Sequence, residues 1–131
     1  MERVDIHSEE DIVRARQCAR DLSLSLGFSL VDKTRIATAT SELARNIFKY
    51  AREGRMEAEE IRDEQGRRGL RLAFIDTGPG IPDIEQAMDE GFSSADGLGQ
   101  GLPGSKRLMD EFHIESAVGE GTRVEVIKWL K

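Results

Sequence analysis

The stretch Ser41-Glu42-Leu43-Ala44-Arg45-Asn46-Ile47-Phe48-Lys49-Tyr50 decides how this chain is read. On a helix turning about 100° per residue, Glu42, Asn46 and Lys49 fall within a wedge of roughly 60°. Ile36, Leu43, Ile47 and Tyr50 fall in a second narrow wedge, centred about 100° away, and that wedge is the expected core face. The polar triplet therefore sits where the helix leaves the core, as it does on a helix that lines a cleft. A carboxylate, an amide oxygen and a cation together suit a nucleotide site: one takes a proton or orients water, one coordinates Mg²⁺, one faces phosphate. An exposed helix face with a Glu and a Lys at ordinary spacing has the same pattern, so the neighbouring segments must discriminate.

Upstream, Val4 to His7 alternates as a short first strand. Ser8 followed by Glu9, Glu10 and Asp11 is helix N-cap chemistry, with acids at the positive end of the dipole. That helix runs to about Leu26 and ends at Gly27. The second helix, which carries the opening stretch, covers roughly Val31 to Arg52, with Gly54 as its stop. Downstream, Met56–Arg62 and Leu70–Asp76 read as strands of a hairpin turning at Glu64-Gln65-Gly66. A short helix is expected at Asp83–Glu90 and a flexible stretch at Phe92–Gly97. Pro103 to Glu111 reads as a helix with Pro103 in its first turn. Ile114–Val118 and Thr122–Leu130 are the last strands, joined at Gly119-Glu120-Gly121. The expected fold is an α+β two-layer sandwich: a mixed, mostly antiparallel sheet of about five strands with three helices on one face.

Two glycine-bearing segments complete the candidate site. In Asp76-Thr77-Gly78-Pro79-Gly80-Ile81-Pro82, Asp76 continues the apolar row Leu70, Leu72, Phe74, because strand side chains alternate. A carboxylate at that place can accept a hydrogen bond from an adenine amine, and Gly78 and Gly80 let the backbone approach a flat ring. A plain Asp-Gly turn fits the segment equally well. Gly97-Leu98-Gly99-Gln100-Gly101-Leu102-Pro103-Gly104-Ser105-Lys106 runs straight into a helix, where free N–H groups and the dipole favour phosphate. Gly99, Gly101 and Gly104 match the dinucleotide pattern but lack a preceding strand, and Lys106 arrives one residue late for a P-loop. A phosphate-binding lid is the better reading. Thr122, after the last glycine turn, offers a hydroxyl to Asp76 or to an adenine-linked water.

Composition narrows the function classes. With 131 residues the chain has room for one domain, spanning 1–131. A net charge of -6 argues against a nucleic-acid partner, since phosphate backbones want clustered cations. Arg67, Arg68 and Arg71 read as a solvated hairpin tip. The single cysteine, Cys18, cannot form an internal disulfide and is expected to be a small buried residue in a cytoplasmic protein. No run of apolar residues is long enough for a membrane span, and the N-terminus has no leader pattern.

The order of these elements is specific. E-x-x-x-N on a helix, a strand ending in D-x-G-x-G, G-x-G-x-G before a helix, then G-x-G-T resembles the GHKL (Bergerat-fold) ATPase and kinase superfamily of gyrase, histidine kinases and MutL. Over nearly its full length the chain is similar to the RsbT-type stressosome switch kinases, notably at residues 41–47, 76–84, 97–111 and 127–130. The resemblance implies ATP and Mg²⁺ as cofactors, Glu42 as general base and Asn46 as metal ligand. It implies that Asp76 reads the adenine amine, that Gly78, Gly80 and Thr122 shape the base pocket, and that Gly97, Gly99 and Gly101 form the lid. Ile81 and Leu102, within the same motifs, join the ATP-binding set, and Lys49 is a suggested phosphate contact. The implied activity is phosphorylation of serine or threonine on a STAS-domain scaffold, followed by binding to an effector such as a PP2C-type phosphatase. The alternative is an anti-sigma factor with kinase activity. A histidine kinase would need a separate phosphorylated helical domain, and gyrase or MutL a transducer domain.

Overall fold

The computed structural model describes residues 1–80 and 101–131. Their order is β1 (Glu2–Ile6), α1 (Glu9–Leu26), α2 (Leu30–Tyr50), β2 (Gly54–Arg62), β3 (Arg68–Asp76), α3 (Gly101–Leu108), β4 (Glu111–Ala117) and β5 (Gly121–Trp129). The strands form a five-stranded sheet in the order β1-β2-β3-β5-β4, and every described pairing is antiparallel. The expected segments at 83–90 and 92–97, and with them Ile81, Gly97 and Gly99, lie outside the described residues.

Register explains why the sheet has an apolar and a charged face. Val4, Met56, Phe74, Val124 and Ile114 are successive cross-strand partners, and so are Ala58, Leu72, Val126 and Phe112. These rows meet Ile12, Ala15, Ala19, Ile36, Leu43 and Ile47 from the helices in one buried cluster. The opposite face pairs Arg3 with Glu57, Asp5 with Arg55 and Glu59 with Arg71. There Arg55 donates to Glu57 at 2.9 Å and holds its carboxyl below the usual range. Arg71 bridges Glu59 and Glu125, while Arg67 and Arg68 bond Asp63 and Glu60, so the hairpin tip is internally neutralised.

Both long helices start where the sequence puts them, by different devices. Ser29 caps α2 conventionally, its hydroxyl accepting from Asp32 N at 3.1 Å. Ser8 occupies the cap position of α1 without a side-chain cap bond. Instead Asp11 reaches back and accepts from His7 N at 2.9 Å. That backbone donor, more than the nearby Arg14 guanidinium, holds the Asp11 carboxyl below its ordinary value. Gly27 closes α1 with φ 91°.

Four expectations need correction. Helix α2 stops at Tyr50, with Arg52 in the left-handed region at φ 71°, two residues before the glycine expected to end it. Gly54 opens β2, where a side-chain carbon would lie 2.5 Å from Ile75 O and 2.8 Å from Ile47 Cγ2. Tyr50 is 58% exposed: it shares the angle of Ile36, Leu43 and Ile47 but lies in the last turn, beyond the packed neighbours. Helix α3 ends at Leu108, because Lys128 Nζ takes the Leu108 carbonyl at 2.9 Å and Glu111 is already paired with Ile127 in β4. Cys18 is half-buried, packed at the rim of the core, and burial pushes its thiol up.

Candidate nucleotide site

A single transverse row of the sheet carries the candidate base pocket. Ile6, Gly54, Asp76, Thr122 and Ser116 are successive cross-strand partners across all five strands. This row follows the apolar rows on the helix-facing side, so polarity begins where the core ends. A side-chain carbon at Gly54 would lie 2.8 Å from Ile47 Cγ2 and 3.1 Å from Asp76 Cβ, which brings the last turns of α2 against Asp76. Asp76 is half-buried and its Oδ1 accepts from Gly78 N at 2.9 Å, folding the following loop back over the strand end. Thr122 stands beside Asp76 as expected, but its hydroxyl meets Ser116 Oγ at 2.8 Å. The hydroxyl pair is thus Ser116–Thr122, and Ser116 also donates to Gly121 O at 3.0 Å.

Glycines hold three loops together at this end. At Gly78 a Cβ would sit 2.5 Å from Ala51 Cβ, just past the end of α2. Gly80, at φ 79°, lies against the Ala117 carbonyl, and Gly119 N donates to Pro79 O at 2.8 Å. Gly121, at φ 106°, presses against the Asp76 carbonyl, with Thr77 Cα 2.8 Å from where a Cβ would stand. Only a residue without a Cβ fits there at that φ. Gly121→Ala is therefore expected to cost about 1–3 kcal/mol of stability and to weaken nucleotide binding by moving Asp76. Chemical denaturation and nucleotide titration of the variant check both parts.

Glu42 and Asn46 lie one turn apart on α2, both half-buried, with the Glu42 side chain 18% exposed. Leu43, Ala44 and Ile47 are buried between and beside them and fix the helix on the sheet. Glu42 Oε1 accepts from Arg45 Nη1 at 3.0 Å, a partner offered by i,i+3 spacing that lies outside the Glu42–Asn46–Lys49 wedge. Lys49 is exposed, its ammonium 5.3 Å from the Tyr50 ring centroid. Gly101 is the first residue of α3 rather than a free loop residue, and Leu102 is 7% exposed in the core cluster. The Leu102 side chain therefore anchors the helix in the core.

Among the described residues no group of three His, Cys, Asp or Glu side chains gathers to hold a metal. A divalent ion here would rest on the Asn46 amide oxygen, phosphate oxygens and water. That donor set suits Mg²⁺, which keeps several waters and binds through few protein ligands plus substrate phosphates. Sequence reasoning also missed a buried charge cluster. Lys128, 4% exposed, lies 3.4 Å from Asp110 and 3.8 Å from Asp32, pinning α3, β4 and the start of α2 to β5. No helix among the described residues is long and apolar enough to cross a membrane.

Comparison with known proteins fits this geometry. Residues 7–128 match the family model described as a histidine kinase-like ATPase domain. The serine/threonine-protein kinase RsbT of Bacillus subtilis is 54% identical over 98% of this chain and 96% of its own length. An anti-sigma F factor of Caldanaerobacter subterraneus is 33% identical over 72% of this chain and 68% of its own. Among solved structures, the RsbU and RsbW domains of Rv1364c from Mycobacterium tuberculosis share the fold, with a TM-score of 0.63 at 17% identity. This chain covers 32% of that one, itself being matched over 98%. It belongs to the histidine kinase-like ATPase domain family and, within it, to the RsbT-like serine/threonine-protein kinases, enzymes that draw their phosphate from ATP.

Proposed function

We propose that this kinase transfers the γ-phosphate of ATP to a serine or threonine of a STAS-domain partner in a bacterial partner-switching stress response. After transfer it leaves that partner and binds an effector such as a PP2C-type phosphatase. The observation that carries the reading is the identity to RsbT along almost the whole of both chains. In this scheme Glu42 takes the proton of the attacking hydroxyl, because an alcohol attacking a metal-bound phosphate wants a base beside it. Asn46 would hold Mg²⁺ through its amide oxygen, and the ion would supply positive charge against the triphosphate. Asp76 accepts the adenine amine, and Gly78, Gly80 and Thr122 leave room for the ring. Gly97, Gly99 and Gly101, with Ile81 and Leu102, complete the ATP contacts, and Lys49 lies at the phosphate end of α2. The lone, half-buried Cys18 accords with a reducing cytoplasm. Phosphate placed on a docking surface adds charge of about -2 and ejects an acidic partner, which is the physical basis of the switch. Incubation with labelled ATP and a STAS-domain protein is expected to label the STAS protein; an unlabelled partner contradicts the reading.

The second reading, an anti-sigma factor that also phosphorylates an antagonist, draws on the anti-sigma F relatives at 33% identity. A pull-down separates the two. A sigma factor held by the chain favours this reading, and a STAS scaffold with a phosphatase favours the first.

A further inference from the structure

The hydroxyl pair beside Asp76 has a fixed direction. Ser116 Oγ lies 3.0 Å from Gly121 O and 2.8 Å from Thr122 Oγ1. A carbonyl oxygen only accepts, and a serine hydroxyl carries a single proton. Ser116 spends that proton on Gly121 O, so the proton between the two hydroxyls comes from Thr122. Thr122 Oγ1 is therefore a donor toward β4, the last strand in the sheet order, and an acceptor toward the pocket on its other side.

That direction matters because of what stands on the pocket side. Asp76 is the cross-strand partner of Thr122 on β3, as Ser116 is on β4. Partners opposed in this way on one face have Cβ atoms about 4.5–5.5 Å apart, close enough for a hydroxyl to reach a carboxylate. A carboxylate also draws a hydroxyl proton more strongly than a neutral oxygen does. Asp76 Oδ1 already accepts from Gly78 N at 2.9 Å, which leaves Oδ2 for a ligand. A Thr122 proton on Oδ2 would fill that remaining place. Among the described residues, the Thr122 hydroxyl meets Ser116 instead.

Resting on the reading of Asp76 as the adenine acceptor, we propose that Ser116 is a specificity-determining positioning residue of the base pocket. It acts through Thr122 rather than on the base itself. By taking the Thr122 proton, it keeps the second oxygen of Asp76 open to an exocyclic amine. Without the Ser116 hydroxyl, Thr122 turns its own toward Asp76 and competes with the base for that oxygen. The pocket then holds a purine amine less tightly and separates it less sharply from a purine carbonyl.

The test titrates ATP and GTP, each with Mg²⁺, into the full chain and into four variants of it. These are Ser116→Ala, Ser116→Thr, Thr122→Val and the double variant Ser116→Ala with Thr122→Val. Ser116→Ala is expected to weaken ATP binding by on the order of ten-fold and GTP binding by less, so that the preference for adenine narrows. Ser116→Thr keeps the acceptor and retains the wild-type preference. The double variant binds ATP as Thr122→Val does, and more tightly than Ser116→Ala, because the competing hydroxyl is gone. A serine needed only for packing gives the opposite order, with the double variant weakest of all, and that order overturns the proposal. Unchanged ATP affinity and preference in Ser116→Ala overturn it as well, while leaving the pocket standing. A wild-type chain with no preference for ATP over GTP refutes the base reading and the role of Ser116 together.

Discussion

Replacing Glu42 by glutamine is expected to lower phosphate transfer by on the order of 10²–10⁴-fold while leaving ATP binding intact. Glutamine keeps the length and the oxygen that accepts from Arg45, so the helix surface and its 3.0 Å bond survive. What disappears is the ability to take a proton. The Glu42 side chain is 18% exposed, and Leu43 and Ala44 beside it are buried, so its place on the helix is fixed by packing. A separate titration of ATP distinguishes a lost base from a damaged pocket. Full transfer by the variant would remove Glu42 from the chemistry and leave it as a partner of Arg45.

Asp76→Asn is expected to weaken adenine-nucleotide affinity by roughly 10- to 100-fold, the value of one hydrogen bond to a charged acceptor. Asp76 Oδ1 is already committed to Gly78 N, so the second oxygen is the one available to a ligand amine. An asparagine that keeps the Gly78 bond must turn its NH₂ toward the adenine amine, setting donor against donor. The same change is expected to spare or improve guanine nucleotides, whose corresponding group is an acceptor. Calorimetric titration of both nucleotides with both chains reads this directly. A selective loss of adenine affinity separates base recognition from a general collapse of the loop.

How much of this was legible in sequence depends on whether the cause was local. The strand period of two placed Asp76 in line with Leu70, Leu72 and Phe74, and the register bears that out. The helical period placed Glu42 and Asn46 beside the buried Leu43 and Ile47. It failed at Tyr50, because angle on a wheel says nothing about whether a neighbour extends that far. Gly54 reads in sequence as a helix stop, whereas the demand for glycine comes from Ile75 and Ile47 packing across it. Glu111 reads as the end of a helix, because its pairing with Ile127 is non-local and invisible to local pattern. The Lys128–Asp32–Asp110 cluster joins three separate elements and leaves no periodic trace at all. Thr122 pairs with Asp76 across the sheet, yet its hydroxyl meets Ser116, a residue one strand further out, and not Asp76.

Titration of the purified chain with ATP and with GTP, each in the presence of Mg²⁺ and again after its removal by EDTA, bears most directly on the pocket at the meeting of α2 and β3. ATP is expected to bind tightly only with magnesium, and GTP poorly under either condition. Equal affinity for the two nucleotides, or ATP binding indifferent to the metal, would contradict the assignment of Asp76 to the base and Asn46 to the ion.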